Sequence, residues 1–181
     1  MGKIILISGS NGSGKSAFAE SLVAQTEGAR YYIATMMAQT EENLRRIEKH
    51  RRQREGLNFR TLELSHQISA APVTADAVVL LEDVTNLLGN ALFVHGESAG
   101  DVYADILALA QQCSLLVAVT ISGLSAEGYE GETAAYIRAT EELNQKLYDA
   151  AAAAAQMEDG AARWRKGEAY VECITHRPVD L

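Results

Sequence analysis

"GSNGSGKS", residues 9–16, is the stretch whose reading decides the fold. It fits the pattern G-x-x-x-x-G-K-[ST]. Before it runs "KIILIS" (3–8), a short β-branched run of the kind buried on both faces of a sheet. After it, "KSAFAESLVAQ" (15–25) repeats apolar residues at helical spacing. Gly9, Gly12 and Gly14 let the backbone turn so that successive N–H groups, those of Ser10, Asn11 and Ser13 included, face one anion. The helix that follows points its positive dipole end at the same anion. Lys15 can neutralise β- and γ-phosphate charge, and the Ser16 hydroxyl can ligate Mg²⁺. A chance match in a glycine-rich turn is the bland alternative, but strand, loop and helix agree in order. The motif speaks for a nucleoside triphosphate and is silent about the acceptor.

Working outward, strands and helices alternate. Strands are expected at "RYYIAT" (30–35), "FRTLEL" (59–64), "AVVLLED" (77–83) and "SLLVAVT" (114–120). Helices are expected at 40–55, 85–93, 99–112 and 133–157, with Thr40 as a possible N-cap. The alanine run at 150–155 reads as helix, and the tail "RWRKGEAYVECI" (163–174) as a final hairpin. This alternation implies an α/β architecture with a mostly parallel sheet flanked by helices. At 181 residues the chain fits one domain, 1–181, large enough for a real core.

Composition narrows the partners. The formal net charge of −8 argues against nucleic acid and membrane surfaces, both of which reward spread positive charge. No segment reads as a membrane span or secretory signal, and Cys113 and Cys173 have neither metal-ligand spacing nor a disulfide framework. A cytoplasmic protein is expected. His66, His95 and His176 have no evident partners and read as structural.

Two further features carry chemistry. "VVLLED" (78–83) is a buried-type strand ending in two acids, and such folds use an acid there to hold the Mg²⁺ shell or orient a nucleophile. Glu82 and Asp83 are both candidates, and either could instead cap the next helix. "RRIEKHRRQR" (45–54) places six cations in ten positions of an acidic chain, around His50. On a helix Arg46, Lys49, His50 and Arg54 share a face. Their charge should disfavour imidazolium and leave a neutral nucleophile, while steadying a triphosphate and its pyrophosphate leaving group. A solvated charged face is the plain alternative. Switch-type GTPases read guanine with Asn-Lys-x-Asp, which is absent here, so a small kinase or transferase suits the chain better.

The chain resembles the bifunctional adenosylcobinamide kinase / adenosylcobinamide-phosphate guanylyltransferase family of cobalamin biosynthesis. The likeness rests on "GSNGSGKS", "YIAT" (32–35), "RIEKH" (46–50) with Arg54 beyond, "LLEDVTNLLGNALF" (80–93) and "LNQKL" (143–147). It implies a RecA-like P-loop fold, usually trimeric, with Mg²⁺ as cofactor, ATP or GTP as substrate and a corrinoid acceptor. It also implies that Gly9–Ser16 hold the triphosphate, that His50 carries a covalent guanylyl group, and that Glu82 is the strand-end acid. Lys49 stands where relatives often have a second histidine. Where relatives follow "VAVT" with an Asn-Glu-Val-Gly segment, this chain has "ISGLSAEGYEGE" (121–132), so Glu127, Glu130 or Glu132 is expected to substitute, or one activity to be altered. Two rivals remain at this level: a P-loop kinase of another small hydroxyl compound, and a RecA-like nucleotide-binding regulatory module.

Overall fold

The computed structural model describes residues 2–175. Seven strands form one sheet in the order β3-β2-β4-β5-β1-β6-β7. They are β1 (Lys3–Gly9), β2 (Arg30–Ala34), β3 (Arg60–Glu63), β4 (Val78–Glu82), β5 (Leu115–Ile121), β6 (Ala153–Glu158) and β7 (Ala161–Lys166). The first six run parallel, and β7 pairs antiparallel with β6. Helix α1 (Lys15–Ala24) packs on one face against β1, β4 and β5, with α6 (Glu168–Thr175) beside it on β6. The other face carries α3 (Val84–Asn90), α4 (Ala99–Gln112) and α5 (Gly131–Ala150).

Alternation along the strands explains this layering. Ile4 and Leu6 turn to the α3–α5 face, and Ile5 and Ile7 to the α1 face, all buried. A strand buried on both faces must be apolar throughout, which is why β1, β4 and β5 read as continuous hydrophobic runs. Truncating such a residue, Leu80 for example, should cost about 2–5 kcal/mol.

The remaining helix, α2 (Glu41–Gln53), differs: it buries no residue. Its start is fixed by the Thr40 side chain accepting from Asn43 N at 3.1 Å and by Glu41 and Glu42 in the first turn.

Two sequence expectations need correction. The helix expected over 133–157 ends at Ala150, and Ala153–Ala155 are buried in β6, paired with Ile5–Ile7 of β1. Alanine favours helix intrinsically, but ladder pairing with β1 and β7 on both sides overrides that preference. The hairpin therefore lies earlier than expected, joining β6 to β7 through Asp159 and Gly160, both at positive φ. The tail beyond Gly167 is α6 rather than a second strand. The helix expected over 85–93 is present, as α3 continued by a π-helical turn over Ala91–His95. His176 lies outside the described residues. His66 and His95 stack on each other, ring centroids 3.7 Å apart.

Candidate active site

β1, β4 and β5 all end at the same edge of the sheet, where parallel α/β folds bind ligands. The loop after β1 turns at Gly12 (φ 73°) and Gly14 (φ 86°), conformations open to glycine and strained for other residues. Gly14 caps α1, and the Lys15 side chain folds over the loop, with Nζ donating to Ser10 O at 3.1 Å. At Gly9 any Cβ would stand 2.5 Å from Ser13 Oγ, so a side chain there would crowd the loop.

A cleft of about 440 Å³ opens on this edge. Asn11, Gly12, Gly14, Lys15 and Ser16 form one wall, Glu82 and Asp83 the floor, and Lys49, His50 and Arg54 the facing wall. Two residues chosen from the motif, Ser10 and Ser13, border a separate groove on the loop's other flank. Gly9 lines neither cavity.

The two strand-end acids take different parts. Ser16 Oγ donates to Glu82 Oε1 at 2.6 Å, while Glu82 Oε2 is buried without a partner among the described residues. Asp83 caps α3 instead: its carboxylate accepts from Asn86 N at 2.6 Å and from Asn86 Nδ2 at 3.1 Å. Burial, reinforced by Asp83, pushes Glu82 up to about 8, and burial raises Asp83 as well. Thr35 fastens the segment between them. Its hydroxyl donates to Asp83 O at 2.8 Å and accepts from Asp83 N at 2.9 Å. Asn90 in turn donates to Thr35 O and Ser65 O.

His50 reaches the cleft from α2, half-buried, with Nδ1 enclosed and unpartnered among the described residues. Burial holds it below the ordinary histidine value, and Arg54, Arg46, Lys49 and Lys15 push the same way. The expected lowering by neighbouring cations is therefore present, with burial the larger cause.

Arg54 follows α2 directly and is buried. Its guanidinium lies 3.5 Å from the Tyr32 ring centroid, and Nη2 donates to Thr61 Oγ1 at 3.4 Å. Nη1 has no partner. Glu20, buried on α1, feels its charge, yet burial still pushes that carboxyl up to about 7.

Sequence reasoning missed Tyr32, Glu20 and Thr35. Tyr32 and Thr35 lie in the quoted "YIAT", but only the fold shows one beneath Arg54 and the other on the Glu82–Asp83 link. The acids Glu127, Glu130 and Glu132 are exposed and do not line the cleft, so the substitution expected of them is not made in this structure. Ile121 is the residue of that segment that reaches the cleft. Asn144, from "LNQKL", holds it there by donating to Ile121 O at 2.8 Å.

A parallel α/β sheet whose first strand runs through a glycine loop into a helix, with a strand-end acid on the loop's serine, defines a P-loop nucleotide-binding fold of the RecA-like kind. A solved ATPase from the type III secretion system of pathogenic bacteria shares that fold, with a TM-score of 0.53 at 9% identity, over 91% of this chain and 57% of that one. The profile of the cobinamide kinase / cobinamide phosphate guanyltransferase family matches residues 5–163, and the chain belongs to that family. The bifunctional adenosylcobalamin biosynthesis protein CobU of Escherichia coli K12 is 38% identical over 96 residues, 51% of this chain. The matched part spans about half, 52%, of that relative's length.

Proposed function

We propose that this chain phosphorylates the aminopropanol hydroxyl of adenosylcobinamide and then transfers GMP from GTP to the product, giving adenosylcobinamide-GDP. The observation that supports it is the shared cleft, in which His50 faces Lys15, Ser16 and Glu82.

In the first reaction the acceptor hydroxyl attacks the γ-phosphorus, an O–P bond forms, and the bond to the β-phosphate oxygen breaks. The P-loop amides and Lys15 hold the phosphates and oppose the charge that develops on them. In the second, His50 attacks the α-phosphorus of GTP. An N–P bond forms and pyrophosphate leaves on the side away from His50, held by Lys15 and the P-loop amides. The phosphate of the acceptor then displaces His50 and takes the GMP group. A neutral imidazole is required for attack, and the depressed His50 value provides it at neutral pH.

The residues fit a Mg²⁺ ion. The Ser16 hydroxyl and the partnerless, buried Glu82 Oε2 are hard oxygen ligands of the number Mg²⁺ takes when phosphates and water supply the rest. Bound there, Mg²⁺ would neutralise β- and γ-phosphate charge. With both Asp83 oxygens occupied by Asn86, Glu82 is the better choice of metal ligand. A homotrimer and a cytoplasmic setting belong to the same reading.

Two labelled triphosphates test it. Label from the γ-position should pass to adenosylcobinamide, and label from the α-position of GTP should attach to the protein and vanish in His50→Ala. Phosphate transfer without protein label would leave a kinase alone. Nucleotide binding with neither would leave a binding module.

A further inference from the structure

The P-loop stands between two cavities. Across it from the His50 cleft lies an open groove of about 680 Å³, bordered by Ser10, Ser13 and the β6–β7 turn, Met157–Gly160. Gly12 and Gly14 border both. The two sides differ in charge. Lys15, Arg46, Lys49, Arg51 and Arg54 outnumber Glu63, Glu82 and Asp83 around the cleft, whereas among the described residues the groove is bordered by no cationic side chain and by Glu158 and Asp159. Glu158 is engaged by Arg165, which leaves Asp159 at the tip of the turn. Met157 is buried against the loop, its methyl 3.8 Å from the point where a Cβ on Gly14 would stand. Such a groove is a poor host for phosphate and a good one for a nucleoside. A carboxylate at its rim accepts from purine N–H groups.

The two reactions proposed above constrain the nucleotide in opposite senses. Lys15 and Ser16 hold the β- and γ-phosphates in both. For phosphoryl transfer the γ-phosphorus must face the acceptor in the cleft, so the α-phosphate and nucleoside must leave on the other flank. For guanylyl transfer the α-phosphorus must reach His50 within the cleft, so the nucleoside lies on that side. The groove is the other flank, and it meets the cleft at Gly12 and Gly14.

We propose that the P-loop holds its triphosphate in two opposite directions. As phosphoryl donor, the nucleoside lies in the groove between Ser13 and the β6–β7 turn, with Asp159 reading the base. As guanylyl donor, it lies in the His50 cleft and the groove is not used. This rests on the two-reaction reading and extends it to specificity: the donor nucleotides of the two steps are selected by different residues.

Photolabelling separates the two directions without relying on turnover. The β,γ-imido form of 8-azido-ATP, which cannot transfer its γ-phosphate, should crosslink to the peptide holding Met157–Gly160. Enzyme guanylylated with 8-azido-GTP should crosslink on the α2 side of the cleft. If the imido analogue marks α2 and spares the turn, or if both probes mark the same peptide, the proposal is overturned. Asp159→Asn keeps a residue that tolerates its positive φ and should raise KM for the phosphoryl donor about tenfold. An unchanged KM would count against it. Failure of GTP to label His50 would instead defeat the two-reaction reading, while the first probe would still show where the kinase donor's base lies.

Discussion

The two walls of the cleft are built in opposite ways. The P-loop wall is continuous with β1 and α1: Lys15 is buried, and the loop's bends are set by glycines in conformations other residues resist. The wall that carries His50 belongs to a helix with no fully buried residue along Glu41–Gln53. It is held instead at its ends, by Asn43 donating to Met37 O and by Arg54 sinking onto Tyr32. The difference teaches that the loop proposed to hold phosphate is written into the core, whereas the proposed nucleophile is mounted on an element that can be altered at little cost in stability.

The largest expected effect lies on the mounted side. His50→Ala should abolish protein labelling by α-labelled GTP while shifting the folding free energy by no more than about 1 kcal/mol, since Nδ1 has no partner to lose. A large drop in melting temperature would show that α2 is structural and break the contrast. On the built-in side, Thr35→Val removes the hydroxyl that both donates to and accepts from the Asp83 backbone. It should cost about 1–3 kcal/mol, a shift of roughly 2–12 °C in melting temperature for a chain of this size, with triphosphate affinity falling alongside. Loss of labelling without loss of stability would place Thr35 in the wrong class.

Titration sharpens the contrast further. Glu82, pushed up to about 8, is mostly protonated at pH 7, and a cation beside it would favour the carboxylate. Binding of Mg²⁺-nucleotide at pH 7 should therefore release a proton, seen by calorimetry in buffers of differing ionisation enthalpy. The release should disappear above about pH 9 and in Glu82→Gln. The sign for folding is the reverse of an ordinary surface carboxylate. Glu82 and Glu20 keep their protons in the folded chain to about 8 and about 7, against 4.5 for an unperturbed glutamate. Their contribution is thus fully present below pH 4.5 and is lost as pH rises through those values. The smallest effect belongs to the exposed pair of Arg51 and Glu63, which joins α2 to β3. Arg51→Ala should change stability by less than about 1 kcal/mol.

Much of this was legible in the sequence because local rules and the fold agree at those places. β1, the P-loop and α1 are specified by residues adjacent in the chain, and the apolar run of β4 ends in its acids whatever packs around it. Ala153–Ala155 were not legible: nothing local distinguishes a helical alanine run from one that pairs with β1 on one side and β7 on the other. The part of Asp83 was likewise hidden, since cap and metal ligand ask for the same side chain and only the Asn86 contacts separate them. Arg54 illustrates the same limit. Its spacing from His50 was readable, but its stack on Tyr32, some twenty residues earlier, is set by the order of strands in the sheet.

The central claim, that His50 and the P-loop serve one reaction, meets its most direct test in peptide mapping of the wild-type chain after incubation with GTP and Mg²⁺. The account predicts a single acid-labile, base-stable GMP adduct on the peptide carrying His50, absent when Lys15 is replaced by Ala. A GMP adduct on another residue, or a His50 adduct that forms as readily without Lys15, would contradict it.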